Sequence, residues 1–173
     1  LTGSSAVNAY GNAQNNLING NDANNALYGT ACNDSINGNG GNDSLHGGAG
    51  VDVLTGGLGS DTFFFDVKPP TFSTSTVHHI NDFNTSQSDK ISFKKSAYGF
   101  SSTSVSLLTI SSSSQLNTAL ATSNVFIYNG SQGLLYWNQN GTTSGAGTGG
   151  IVAVLDPQAG VYPLLAASNL AIA

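Results

Sequence analysis

Along the first 67 residues, one apolar side chain recurs at every ninth position. Ile18, Leu27, Ile36, Leu45, Leu54 and Phe63 make up the series, each flanked on both sides by a residue that can point the other way. Three residues with a single inward side chain are a minimal strand, because successive side chains alternate across a strand. The residues between these short segments are crowded with Gly and Asn, which supply tight turns and close backbone approach. A helix is excluded, since each interior Gly would cost about 1 kcal/mol. One apolar residue in nine cannot fill a globular core, but it can fill the narrow interior of a solenoid whose coils bury their residues against one another.

Past residue 67 the pattern changes, and Pro69-Pro70 marks a stiff break. Thr62 to Val67 is rich in Phe, as expected where the last coil meets a larger core. Candidate strands follow at 77–83, 90–93, 105–110, 125–129, 134–138, 150–155 and 161–165, separated by Gly- and Ser-rich loops. Ser113 to Ala121, with Leu116 and Leu120 four apart, reads as a short helix. Gly141 to Gly150 reads as a loop. The expected fold is all-β: a parallel solenoid over 1–67, then a small β-sandwich-like capping domain with one short helix over 68–173. The second part closes the open end that every solenoid has.

Composition narrows the chemistry. Of 173 residues only 8% are charged, against about a quarter in ordinary domains. All nine acids are Asp and all four basic residues are Lys, for a net charge of −5. Without Glu there is neither a paired-Glu glycosidase centre nor a His-Glu-x-x-His metalloprotease helix. Without Arg, and with negative net charge, a nucleic-acid footprint is not expected. The apolar fraction of 39%, with eight Phe, six Tyr and one Trp, argues against disorder. The lone Cys32 cannot form an internal disulfide, no run approaches a membrane span, and the start at Leu1 without a signal segment reads as that of a fragment.

The charge that remains is placed. Residues 1–67 carry Asp22, Asp34, Asp43, Asp52, Asp61 and Asp66 and no Lys, whereas 68–173 carry three Asp and four Lys. Stacking the glycines exposes a nine-residue repeat, clearest in Gly47-Gly48-Ala49-Gly50-Val51-Asp52-Val53-Leu54-Thr55 and in Gly56-Gly57-Leu58-Gly59-Ser60-Asp61-Thr62-Phe63-Phe64. Copies from Gly38, Gly29, Gly20 and Gly11 are progressively weaker; Asp43 and Asp34 keep the sixth position, and Asn25 and Asn16 replace it. Like positions in stacked coils lie about 4.8 Å apart. Carboxylates that close repel unless a cation lies between them. Oxygen donors from Asp and backbone carbonyls suit calcium rather than zinc or copper. One isolated Asp would be read as a turn cap; four in register on one Gly frame point to calcium.

The pattern Gly-Gly-x-Gly-x-Asp-x-apolar-x resembles the calcium-binding parallel β-roll of the RTX (repeats-in-toxin) proteins, a signature of general currency. The resemblance implies that two repeats make one coil, so that loops beginning at Gly11, Gly29 and Gly47 share one edge and those at Gly20, Gly38 and Gly56 the other. It further implies that ions bridge loops two repeats apart: Asp34 with Asp52, and Asp43 with Asp61. The loop glycines Gly29, Gly38, Gly47, Gly48, Gly50, Gly56, Gly57 and Gly59 would help complete these sites. Asn16 with Asp34 and Asn25 with Asp43 would bind more weakly, giving two firm calcium ions and at most four. The second part resembles the region that follows the roll in serralysin-type proteases, through Asn81-Asp82-Phe83, Ser88-Asp89-Lys90-Ile91 and the segment from Val125 to Gly141. Asp82 and Asp89 are candidates there for an ion or for a turn. In this family the C-terminal region carries a type I secretion signal, and the apolar tail Leu164 to Ala173 suits that role or a last strand.

No nucleophile is in evidence. None of the Ser residues sits in a Gly-x-Ser-x-Gly elbow. His78 and His79, adjacent on a strand, would face opposite ways, and His46 would be exposed. Tyr128, Tyr136, Trp137 and Tyr162 read either as core or as the lining of a carbohydrate groove. The functional expectation is therefore a non-catalytic calcium-binding module of an extracellular protein, folding outside the cell and engaging a type I secretion machinery through its C-terminal region. Contacts with a cell surface or with other copies are further expectations. The alternatives are the tail of a secreted protease, lipase or polysaccharide-modifying enzyme, or an adhesin or surface-layer module.

Overall fold

The computed structural model describes residues 1–68, 77–100, 107–112, 115, 126–137, 150–157 and 160–173. Seven short strands occupy the first part: β1 (Asn8–Tyr10), β2 (Leu17–Asn19), β3 (Ala26–Ala31), β4 (Ser35–Asn37), β5 (Ser44–Ala49), β6 (Val53–Thr55) and β7 (Thr62–Phe65). Odd-numbered strands pair in parallel in one sheet and even-numbered strands in another, so the chain changes sheet at every loop. The register keeps the apolar column aligned: Ala9, Leu27, Leu45 and Phe63 in one sheet, Ile18, Ile36 and Leu54 in the other. Leu27, Leu45, Leu54 and Phe63 are wholly buried. Burying each such side chain stabilises the fold by about 1.5–3 kcal/mol. The structure is thus a mostly parallel β-roll.

The column shows one more repeat than the Gly pattern. Thr2 to Tyr10 occupies a full repeat in register, with Ala9 in the interior and Val7 at the sixth position. It lacks the leading Gly and the Asp, which are the signals that mark the others.

After β7 come β8 (His78–Ile80), β9 (Lys90–Phe93), the helix α1 (Lys95–Tyr98), β10 (Leu107–Ile110), β11 (Phe126–Asn129), β12 (Leu134–Trp137), β13 (Gly150–Leu155) and β14 (Leu170–Ile172). These strands form the capping region by extending the roll's two sheets. The first sheet runs β1-β3-β5-β7-β9-β14 and the second β2-β4-β6-β8-β13-β12-β11-β10. The columns continue through Ile91 and Leu170 on one side and Ile80 on the other. The interior widens in this region, where Phe65, Phe83, Phe93, Phe126, Tyr98 and Trp137 are buried together.

One expectation differs from this arrangement, and two lie mostly outside the described residues. The described helix is α1, closed by Gly99 in the left-handed conformation; most of the helix expected over 113–121 lies outside the described residues, as does most of the expected loop from Gly141 to Gly150. Residues 161–165 form no strand, since Pro163 has no N–H to give a ladder and Leu164 is 84% exposed. The last strand is instead β14, within the apolar tail, and it pairs with β9. Among the described residues, no helix is long and apolar enough to cross a membrane.

Candidate metal centre

Because strands alternate between sheets, loops 11–16, 29–34 and 47–52 stack along one edge of the roll and loops 20–25, 38–43 and 56–61 along the other. The sixth-position residues form two hydrogen-bond ladders. On the first edge, the backbone N–H of Asn16 donates to Asp34 Oδ1 and that of Asp34 to Asp52 Oδ1, each at 2.8 Å. On the second, Asn25 N–H donates to Asp43 Oδ1 at 2.7 Å and Asp43 N–H to Asp61 Oδ1 at 2.8 Å. One carboxylate oxygen per Asp thus organises the coil before it.

The other oxygen is stranded. Oδ2 of Asp34, Asp43, Asp52 and Asp61 is buried without a hydrogen-bond donor, and the four residues are at most 2% exposed. A buried, unpaired carboxylate oxygen is strongly unfavourable, so each requires a proton or a cation. A Cβ added at Gly29 would fall on Asp34 Oδ2 and come within 2.6 Å of the Gly47 carbonyl oxygen, and one at Gly38 would meet Asp43 Oδ2 and the Gly56 carbonyl. Gly47 and Gly56 open in the same way toward Asp52 and Asp61. Each cradle is therefore kept clear by Gly and faced by oxygen. Gly48, Gly50, Gly57 and Gly59 lie instead over the backbone of the loop two repeats earlier.

The two upstream copies handle the same position without charge. Asn25 Oδ1 accepts from Asn21 N–H at 2.9 Å while its Nδ2 donates to the Val7 carbonyl at 3.0 Å. Asn16 Oδ1 accepts from Asn12 N–H at 2.8 Å. Amides satisfy these loops internally; carboxylates cannot.

Each ladder ends on a residue of the second part. Asp61 N–H donates to Asp89 Oδ1 at 3.0 Å, and Asp89 Oδ2 accepts from Asn84 N–H at 2.8 Å. Asp82 receives Gly56 N–H on Oδ1 and Gly57 N–H on Oδ2, at 2.8 and 2.7 Å. Both carboxylates thus hold turns, the role that sequence left undivided from ion binding. On the first edge the terminator is His78, which sequence reasoning missed. Its buried ring places Nδ1 3.3 Å from Asp52 N and 3.0 Å from Asp52 Oδ2. Asp52 N–H points at this nitrogen as Asp34 N–H points at a carboxylate oxygen, so His78 stands on this edge where the next Asp would. No alternation or spacing rule announces a His after a 26-residue step.

Burial pushes Asp43 up to about 6, against the opposing hydrogen bond from Asn25 N–H and with the help of the Asp61 charge. Burial likewise raises Asp89 to about 6, against the hydrogen bonds from Asp61 and Asn84, and raises Asp34 and Asp61. A carboxyl whose native value lies above its unfolded value of about 3.9 binds protons more readily in the native state. Calcium-free protein should therefore lose stability as pH rises from about 4 to 6, then level off. Thermal melts in chelator should give a higher midpoint at pH 4.5 than at pH 7. Calcium needs the ionised carboxylates, so its addition should narrow or reverse that order.

Among the described residues, no three His, Cys, Asp or Glu side chains converge as a metal cluster. The donors facing each cradle are carboxylate or amide oxygens and backbone carbonyls, hard ligands of the kind calcium takes. The remaining candidates fall elsewhere. Cys32 is exposed. His46, expected to be exposed, is sandwiched between Tyr28 and Phe64 with ring centroids at 4.4 and 4.2 Å, and its Nδ1 lies 2.6 Å from Asp66 Oδ2. His78 and His79 occupy opposite faces of β8. Tyr128, Tyr136 and Trp137 are buried in the core, and Tyr162 is half-buried.

A family model described as an RTX calcium-binding nonapeptide repeat (4 copies) matches residues 8–31 and 28–63. That segment is an RTX-type calcium-binding repeat, and calcium is the cation its cradles fit. A solved structure described as the solution structure of the AlgE6R3 subunit from the Azotobacter vinelandii mannuronan C5-epimerase is 26% identical, with a TM-score of 0.55; the alignment covers 98% of this chain and 80% of that one. No curated protein matches.

Proposed function

We propose that this chain is a calcium-dependent folding module of an extracellular protein, with the roll (1–67) as its sensor and residues 68–173 as its cap. The observation that carries the reading is the set of four buried Asp Oδ2 atoms without donors, each beside a Gly-lined cradle. Asp34 with Asp52 and Asp43 with Asp61, together with loop carbonyls, would hold two firm ions. The Asn16 and Asn25 loops, already satisfied by amides, would hold weaker ones or none. Bound calcium would supply the positive charge that lets the carboxylates ionise inside the stack, so that binding free energy becomes folding free energy.

In a cell with micromolar calcium the acidic repeat stays open, fit for a type I export channel that the C-terminal region would engage; at millimolar calcium outside, it closes. Asp89, Asp82 and His78 support a cap that templates the last coil, because they complete both ladders. Circular dichroism of the full chain during a calcium titration tests this. A β signal that grows with calcium and collapses in excess chelator is expected, and one unchanged by chelation would overturn the switch.

A second reading rests on the similarity to a subunit of a mannuronan C5-epimerase: the chain serves as the non-catalytic module of a polysaccharide-modifying enzyme. It is compatible with the first, since folding on calcium is a property of the module and catalysis would be that of a partner domain.

A further inference from the structure

A cleft of about 540 Å³ lies where the last loop of the roll meets the cap, within the range of about 300–1,000 Å³ usual for small-ligand sites. The roll contributes Asn39 and Leu58; the cap contributes Asp82, Asn84, Gln87 and Tyr162. Its polar side chains are three planar amides, one carboxylate, the Thr85 hydroxyl and one phenol, with no Lys, Arg or His. An anionic ligand would find no cationic partner and would meet Asp82. A purely apolar ligand would leave the amides unpaired.

The polar groups retain capacity. Asn39 Nδ2 donates to the Gly20 carbonyl at 2.9 Å, which leaves its Oδ1 to accept. Asn84 Oδ1 caps Ser86 N–H at 3.0 Å, which leaves its Nδ2 to donate. Among the described residues the Gln87 side chain makes no hydrogen bond. Acceptors and donors lining one cleft suit sugar hydroxyl groups, and an aromatic ring suits the apolar C–H face of a pyranose.

The walls are also fixed in advance. Tyr128 Oη donates to the Pro163 carbonyl at 2.8 Å, tying down the segment that bears Tyr162. The ring of Tyr162 lies against Gly133, where a Cβ would come within 2.5 Å of it. Asp82 is held by Gly56 and Gly57. Exposed Leu58 and Val161, at 73% and 70%, stand at the cleft as apolar lips. Ordering of this kind lowers the cost of binding.

We propose that this cleft binds a neutral sugar residue of a glycan chain, with Tyr162 as the ring platform and Asn39, Asn84 and Gln87 as hydroxyl partners. Leu58 and Gly57 belong to a calcium-type loop, so one wall depends on that loop being closed; this coupling, though not the site, rests on the calcium reading.

The test uses the full chain in saturating calcium, with backbone amide NMR during titration of maltotriose, cellotriose and chitotriose, and with trimannuronate as an acidic comparator. At least one neutral trisaccharide should shift the Leu58, Asn84 and Gln87 amides. Gln87→Ala and Tyr162→Ala should each weaken it tenfold or more, and Tyr162→Phe should retain it, all with unchanged calcium-induced circular dichroism. No shift with any neutral sugar, shifts confined to other surfaces, or binding of the acidic trimer alone would overturn the proposal. Sugar binding that survives chelation in a still-folded protein would count against the calcium reading and leave the cleft standing.

Discussion

Gly59→Ala is expected to stop the roll from closing at its best-formed end. Gly59 has φ +127°, a conformation that residues with a side chain rarely adopt. A Cβ there would also land on the Gly41 carbonyl oxygen, backbone of the loop two repeats earlier. Backbone has no rotamer with which to yield, so relief requires the two loops to part. Strained backbone alone costs about 1–3 kcal/mol, and the collision adds to it. The expected loss is therefore at least about 3 kcal/mol by denaturant unfolding in saturating calcium. Cys32 provides the control. It occupies the same repeat position with φ +70°, the left-handed region that non-Gly residues visit. Cys32→Gly should change stability by less than about 1 kcal/mol. A Gly59→Ala protein as stable as the parent would show that the loops do not stack as closely as described.

Asp43→Asn should move stability in opposite directions with and without calcium. In chelator, Asp43 keeps an unpaired buried oxygen and holds its proton up to about pH 6. Replacing it by Asn removes the anion and offers an amide donor, as the Asn25 amide donates to the Val7 carbonyl two repeats earlier. The calcium-free melting temperature at pH 7 should rise. In calcium the charged ligand is missing, and the ion-dependent gain should shrink. A site filled at one hundred times its Kd is worth about 2.7 kcal/mol. For a chain of this size, that corresponds to roughly 5–11 °C of calcium-induced stabilisation. Differential scanning calorimetry with and without calcium measures both signs at once. An unchanged calcium increment would remove Asp43 from the sites; a calcium-free midpoint that falls would mean that the stranded oxygen is satisfied by other means.

Much of the roll was legible because its physics is local and repeated. One apolar residue in nine, a Gly frame and an Asp in register determine strand, turn and cradle within each copy, and repetition multiplies the signal. Where the signal weakened, legibility weakened with it. Thr2 to Tyr10 is structurally a repeat of the roll but has no Gly at its start and Val7 in place of Asp, so nothing local marked it. Residues 161–165 looked like a strand by composition, yet Pro163 and solvent around Leu164 left β14 to take the partnership with β9.

Sequence by itself determined the nine-residue repeat, the aligned interior from Ile18 to Phe63, the acidic column and the hard-oxygen donor set. Each follows from the chemistry of residues close in sequence. Tertiary structure alone decided that the cap prolongs the roll's two sheets, that His78 and Asp89 end the ladders, and that Asp82 holds the Gly56 loop. It also decided that Tyr162 faces a cleft while Trp137 is buried. These pairings join residues 25 to 80 positions apart with no period to fix their register. Which partner fills the next rung is then settled by the shape of the packed sheets, and no feature of the local chain carries that information.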